Sequence, residues 1–269
     1  MLRHHPSHWP GGSAIIGRIS GDELTYVGHA TVEIRLDGAH LLTDPVLRNR
    51  IVHLRRQVPD PGIDGNDVPD AILLSHQHFD HLDLPSLRRF GKQVRIIGGP
   101  GTSALLGRRG FTRVEELAVG HSASVGAVTV TAVPAAHDGR RRPGAKAGEA
   151  VGFIVAGSKE IYFAGDTDLY PEMDRLSSNV DVALMPVWGW GHTLGEGHMD
   201  PGRAAEATAL IRPKIAVPIH WGTLFPMVAG RFGRHHLTRP PQRFAAQVAA
   251  GSPEVGVTVL APGASMPLD

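Results

Sequence analysis

Ser75-His76-Gln77-His78-Phe79-Asp80-His81 decides the reading of this 269-residue chain. Three histidines and one carboxylate crowd into it, directly after the apolar run Ala71-Ile72-Leu73-Leu74. That run reads as a short buried strand delivering the cluster to a loop at the strand's C-terminal end. Successive side chains on a strand point to opposite faces, so His76 and His78 share a side where the chain stays extended. Asp80 and His81 begin a turn towards a helix over Leu84-Pro85-Ser86-Leu87-Arg88-Arg89-Phe90. Neutral imidazole and carboxylate are ligands that suit Zn2+, Fe or Mn2+. As core packing the cluster makes little sense, because each buried imidazole needs a hydrogen-bond partner.

The same arrangement recurs along the chain. Residues 24–27 and 31–36 alternate apolar and polar and read as strands, with Asp37-Gly38 as a hairpin turn before a third strand. That strand ends at Thr43-Asp44-Pro45, with a carboxylate at its tip. Residues 48–69 show no clear period and read as a long loop. After the histidine cluster come a strand at 94–97, a short helix at 101–107 and a strand at 112–115. The strong strand at 127–133 ends at Pro134-Ala135-Ala136-His137. Strands at 151–155 and 161–164 follow, the second running into Gly165-Asp166-Thr167. A buried strand at 181–186 opens a loop, 187–199, that carries Trp188, Trp190, His192 and His198. Asp200-Pro201 supplies an N-cap and an N1 proline for a helix to residue 211. The strand at 215–219 leads to His220-Trp221-Gly222-Thr223. Residues 224–239 are irregular and basic, and precede a helix near 242–250 and a last strand at 255–260.

Composition narrows the classes. A hydrophobic content of 42% supports a sizeable core, and a net charge of +1 gives no global field for nucleic acid. The chain has no cysteine, which excludes a disulfide scaffold, a thiolate nucleophile and a Cys-ligated metal. It shows no signal-peptide apolar region at its start and no stretch near the roughly 20 residues needed to span a bilayer. We expect a flexible N-terminal arm over residues 1–20, a single catalytic domain over 21–269 and a cytoplasmic location, with a homo-oligomer left open.

Pooled, the candidates are His76, His78, Asp80, His81, His137, Asp166 and His220, each just after an expected strand. Sites in sheet-based folds form at the C-terminal ends of strands. Seven candidates exceed what one tetrahedral ion needs and suit a two-metal site with one shared carboxylate.

The motifs His76-Gln77-His78-Phe79-Asp80-His81, His137, Gly165-Asp166-Thr167 and His220, with Asp44 early in the chain, resemble those of the metallo-β-lactamase superfamily. Within it the chain is similar to the branch of N-acyl-phosphatidylethanolamine-hydrolysing phospholipase D and the ascorbate-phosphate lactonases. The signs are Gly28-His29-Ala30-Thr31, Leu42-Thr43-Asp44-Pro45, Phe163-Ala164-Gly165-Asp166-Thr167, His198-Met199-Asp200-Pro201 and Ile219-His220-Trp221-Gly222-Thr223. The resemblance covers about residues 24–260. It implies an α/β fold, an αββα sandwich of two mixed sheets flanked by helices. It implies two divalent ions, Zn2+ foremost with Mn2+ or Fe as alternatives. His76, His78 and His137 would bind the first ion. Asp80, His81 and His220 would bind the second, with Asp166 bridging. Asp44 would hydrogen-bond a ligand histidine and fix its tautomer. Asp80 and His198 are the expected catalytic groups, around a metal-bridging hydroxide.

Substrate is expected to be a small molecule, with no nucleic acid as partner. Three readings compete: a hydrolase of phosphodiesters or phosphorylated metabolites, a hydrolase of lactones or cyclic amides, and a non-enzymatic metal-binding protein. Arg140, Arg141 and Arg142 follow His137 closely enough to meet phosphate oxygens and favour the first. Trp188 and Trp190 are the expected apolar walls of the substrate pocket.

Overall fold

The computed structural model describes residues 21–141, 148–176, 179–191, 193–229 and 233–268. The expected arm at 1–20, Arg142 and His192 lie outside the described residues.

The first half of the chain runs β1 (Glu23–Gly28), β2 (Thr31–Leu36), β3 (Ala39–Thr43), β4 (Arg50–Ile51), β5 (Leu54–Arg56), β6 (Ala71–Leu74), α1 (Leu84–Arg89), β7 (Ile96–Gly98), α2 (Thr102–Gly107), β8 (Val114–Glu116), β9 (Ser122–Val125) and β10 (Val128–Pro134). The second half runs β11 (Val151–Ala156), β12 (Glu160–Phe163), β13 (Val182–Pro186), α3 (Pro201–Ile211), β14 (Ile215–Ile219), β15 (Leu224–Pro226), α4 (Arg239–Gly251), β16 (Gly256–Val257) and β17 (Ala264–Pro267).

Two seven-stranded sheets form, in the orders β17-β1-β2-β3-β6-β7-β8 and β16-β14-β13-β12-β11-β10-β9. Both are mixed. β3, β6, β7 and β8 are mutually parallel, as are β12, β13, β14 and β16, and the remaining pairs are antiparallel. The sheets pack face to face over one large core that includes Ile34, Leu41 and Leu73 from the first and Phe153, Phe163 and Leu184 from the second. Helices cover the outer faces. β6 shows why its sequence is continuously apolar: Ala71 and Leu73 enter the core between the sheets, while Ile72 and Leu74 pack with Leu87 of α1 and Leu106 of α2. On the other side, Ala204 and Ala207 of α3 and Phe244 and Val248 of α4 join the main core. This is the expected αββα sandwich.

Three expectations need correction. Residues 48–69 are not all loop, because β4 and β5 form a hairpin that pairs with β15 into a separate three-stranded sheet. Strands of two or three residues are too short to show a period. The last helix starts at Arg239, with Pro240 and Pro241 in its first turn, where a missing N–H leaves no hydrogen bond unmade. The last expected strand, at 255–260, shrinks to β16, and the unforeseen β17 pairs with β1 at the edge of the other sheet. Among the described residues, no helix is long and apolar enough to cross a membrane.

Candidate metal centre

β3, β6, β12 and β14 present their C-terminal ends to one cleft between the sheets, and β10 ends against it from the second sheet. Asp44, residues 76–81, His137, Asp166 and His220 therefore meet there, although they are spread over much of the chain.

Two clusters result. His76, His78 and His137 form one, with His78 Nδ1 3.0 Å from His76 Nε2 and 3.1 Å from His137 Nε2. Asp80, His81, His220 and His29 form the other, with His81 Nε2 and His220 Nε2 3.1 Å apart. Asp166 lies between them. Its Oδ2 is 3.1 Å from His81 Nε2 and 3.9 Å from His76 Nε2, and its Oδ1 is 3.2 Å from His220 Nε2.

Asp44 is fully buried and ties the first sheet to the centre. It accepts the Ser75 backbone N–H at 2.8 Å and the Ser75 hydroxyl, and its Oδ2 lies 2.7 Å from His81 Nδ1. Two further ring nitrogens are also fixed. His137 Nδ1 donates to the Gly197 carbonyl at 2.8 Å, and His220 Nδ1 donates to the Trp188 carbonyl at 2.6 Å. In each case the Nε2 atom is left to face the cleft. Such backing of a ring nitrogen by a carbonyl or carboxylate is what sets the tautomer of a ligating histidine.

The backbone is strained here. His29, Asp44 and His220 occupy the left-handed region, with φ of 58°, 31° and 63°. Such strain in non-glycine residues concentrates at functional sites. Gly165 and Gly197 serve close approach instead. A Cβ on Gly165 would stand 2.5 Å from Ser75 Cβ, and one on Gly197 would stand 2.9 Å from His137 Nδ1.

Burial holds several imidazoles neutral. It lowers His76 well below the ordinary value, His137 to about 4 and His220 to about 3. Burial opposes charge on His81 and His198 as well, but Asp166 outweighs it. Asp166 and Asp44 carry His81 well above its usual range, and Asp166 carries His198 to about 9. Burial raises Asp80 and Asp166, yet the surrounding histidines bring both carboxyls well below 3.8.

The donor set fits divalent cations. Ring nitrogens packed at 3.0–3.1 Å from one another are poor partners for each other and good ones for a shared ion. Asp166 Oδ1 is buried without a hydrogen-bond partner, an acceptor that a cation would satisfy.

Beside the clusters lies a pocket of about 290 Å³, lined by Ile51, Val52, His53, Leu54, His78, Phe79, Asp80, Asp166, Trp190 and His198. Its apolar wall comes from the β4–β5 hairpin, Phe79 and Trp190. His198 reaches the floor, with Nε2 3.3 Å from Asp166 Oδ2.

Other expected substrate contacts lie elsewhere. Arg140 folds back onto its neighbour, its Nε 2.8 and 2.9 Å from the two Asp138 oxygens. Arg141 donates to the carbonyls of Gln77 and Leu82, both at 3.0 Å, and sits over the Phe79 ring. It buttresses the histidine loop instead of lining the pocket. Trp188 stacks on His236 and donates to the Gly191 carbonyl, away from the pocket lining. His29, named in the sequence only within the motif Gly28-His29-Ala30-Thr31 and not as a site residue, is 1% exposed and stands in the second cluster. Its signal was available: a histidine directly after a strand, following Gly28.

A family model described as a β-lactamase superfamily domain matches residues 40–221. A UPF0173 metal-dependent hydrolase from Methanopyrus kandleri is 31% identical over 254 residues, covering 90% of this chain and 98% of its own. Another from Pyrobaculum arsenaticum is 31% identical over 247 residues, covering 90% and 97%. Among solved structures, the metallo hydrolase Igni18 from Ignicoccus hospitalis superposes with a TM-score of 0.71 at 25% identity, over 92% of this chain and 98% of that one. With its αββα sandwich and clustered histidines and carboxylates, the chain belongs to the metallo-β-lactamase superfamily of metal-dependent hydrolases.

Proposed function

We propose that the protein is a binuclear hydrolase that opens a neutral ester or amide bond, in a lactone or cyclic amide of a small molecule with an apolar part. His76, His78 and His137 would hold one ion, and Asp80, His81 and His220 the other, with Asp166 shared. Zn2+ is the first choice for this nitrogen and oxygen set, with Mn2+ or Fe as alternatives. Bound divalent ions supply a nucleophile from water at neutral pH and polarise the scissile group.

The residues have separate tasks. Asp44 accepts the His81 Nδ1 proton, so Nε2 is the nitrogen that would give up its proton to an ion. Gly197 and Trp188 do the same for His137 and His220 through their carbonyls. His198, on the pocket floor beside Asp166, is placed to give a proton to the leaving group. Ile51, Leu54 and Trp190 exclude water from one side of the substrate.

The observation that carries the substrate ranking is the pocket wall. Among the described residues no arginine or lysine lines it, and half of its lining, Ile51, Val52, Leu54, Phe79 and Trp190, is apolar. A phosphodiester brings negative charge that arginine would meet two oxygens at a time. Arg140 is engaged with Asp138, and Arg141 with backbone carbonyls and the Phe79 ring, so the phosphodiester reading falls behind.

The test compares a panel of alkyl- and aryl-substituted lactones with a generic aryl phosphodiester on zinc-loaded protein. Lactone opening with a higher kcat/KM is expected. Efficient phosphodiester turnover with negligible lactone opening overturns the ranking. Activity on neither class, across several metals, refutes the reaction class.

A further inference from the structure

Asp80 is held differently from the other acidic groups of the centre. Two N–H groups converge on one of its oxygens. Trp190 Nε1 donates to Oδ2 at 2.9 Å, and His29 Nε2 lies 3.0 Å from the same atom. That oxygen is 3.9 Å from His81 Nε2, at the edge of the second cluster. A carboxylate on a turn rotates broadly about its last torsion unless something stops it.

Both donors are themselves locked. The His29 backbone N–H donates to the Thr223 hydroxyl at 2.8 Å, and its carbonyl accepts the His220 backbone N–H at 2.7 Å. Its ring centroid lies 3.9 Å from that of His220. The Trp190 ring meets His53 edge-on at 4.9 Å and packs on Ile51, Leu54 and Leu224 under the three-stranded sheet. The donors come from unrelated elements, the β1–β2 turn and the loop after β13.

The alternative role for His29 is a further ligand through Nε2. That would put its proton on Nδ1, which is buried with no hydrogen-bond partner. An orphaned buried N–H is rarer in native structures than an under-satisfied acceptor. With the proton on Nε2, Nδ1 is only an unused acceptor.

We propose that His29 and Trp190 are positioning residues, two N–H donors that clamp Asp80 Oδ2 beside the His81–His220 pair. Trp190 thereby joins the apolar wall of the pocket to the carboxylate of the second cluster. The clamp can be read without metal, and its effect on the second ion rests on the two-ion reading above.

The first measurement is the indole 15N–1H resonance of Trp190 in metal-free protein, assigned with Trp190→Phe. Asp80→Asn should move it upfield by weakening the acceptor, and an unmoved resonance overturns the clamp. The second is a zinc titration followed by calorimetry. Trp190→Phe and His29→Asn should weaken the second zinc about 10–100-fold and leave the first unchanged. Asn is chosen because it tolerates the left-handed backbone of His29. In an Asp80→Asn background both effects should largely vanish, and His29→Gln, whose amide N–H reaches the position of His29 Nε2 where the shorter asparagine amide does not, should stay near wild type. Equal weakening of both ions, effects that persist without Asp80, or His29→Gln as damaging as His29→Asn would each overturn the positioning role. A wild-type stoichiometry of one zinc instead refutes the two-ion reading, and the indole resonance still decides the clamp.

Discussion

Asp44→Asn isolates what a carboxylate does behind a metal-facing histidine. The change keeps shape and volume, and asparagine accepts the residue's φ of 31°. Asp44 is fully buried and receives the Ser75 N–H, the Ser75 hydroxyl and His81 Nδ1–H. In the variant one oxygen still accepts the Ser75 N–H. The amide NH2 then faces the Ser75 hydroxyl and His81 Nδ1. The hydroxyl rotates to accept. His81 can accept only by moving its proton to Nε2, the atom that lies 3.1 Å from Asp166 Oδ2 and faces the second cluster. Three charge-assisted hydrogen bonds become neutral ones, so about 2 kcal/mol of stability is lost from the metal-free protein. The larger effect is on metal. With Nε2 carrying a proton, second-ion affinity should fall about 10–100-fold. The assays are urea unfolding of chelator-treated protein and zinc titration of the native form. Asp44→Ala is the harsher companion. It strands the Ser75 N–H and a buried imidazole and should cost about 3–5 kcal/mol. Unchanged second-ion affinity in Asp44→Asn, with the modest stability loss present, would refute the tautomer argument and leave Asp44 as a structural anchor only.

What the sequence made legible follows a physical division. Residues 71–81 carry the fold because a four-residue apolar run followed by clustered histidines and a carboxylate has few structural solutions. The tip residues Asp44, His137, Asp166 and His220 were legible for the same reason. Each follows a strand whose side chains are mostly buried, so the strand is visible and its end is marked. The β4–β5 hairpin was not legible, since Arg50–Ile51 and Leu54–Arg56 are too short for alternation to show. Yet that hairpin supplies the apolar pocket wall. The arginine run did not show where each guanidinium goes, because a residue's neighbours in sequence do not fix that. Asp138, one residue after His137, is the nearer partner for Arg140. His29 was visible as a residue but not as a participant, because its role depends on Asp80 and His220, far away in the chain. Strand ends thus announce the candidate ligands, while the groups that touch those side chains and wall the pocket are set by tertiary contact.

The remaining expectations are narrower. Gly165→Ala should destabilise the protein by about 1–3 kcal/mol, since φ is +61° and the new Cβ would stand 2.5 Å from Ser75 Cβ; a thermal midpoint equal to wild type contradicts that close approach. Leu54→Ala should raise KM for an apolar lactone by about tenfold with little change in kcat, because one apolar contact is worth about 1–3 kcal/mol in a pocket; steady-state kinetics decide it, and a change in kcat alone would remove Leu54 from substrate binding. Arg140→Ala should leave kinetics on any verified substrate unchanged, given its pairing with Asp138; a KM rise confined to anionic substrates would restore the phosphate reading. The pH dependence of the metal-free protein follows from the histidine shifts. His137 titrates at about 4 and His220 at about 3 in the fold, against about 6.5 unfolded. As pH falls from about 6.5 towards 4, the unfolded chain takes up protons that these folded residues refuse, so stability declines. His81 and His198 act in the opposite direction and in another window. Asp166 raises both, to about 9 for His198, so their contribution is complete below about 6.5 and is lost as pH rises towards 9. The lowered carboxyls of Asp80 and Asp166 lose their contribution only below about 4. Thermal midpoints of chelator-treated protein should therefore peak near pH 6.5 and fall on both sides. A midpoint that stays flat from about pH 6.5 down to 4.5 would mean that the buried imidazoles already carry protons in the fold, and that the neutral, cation-ready state assigned to His137 and His220 is wrong.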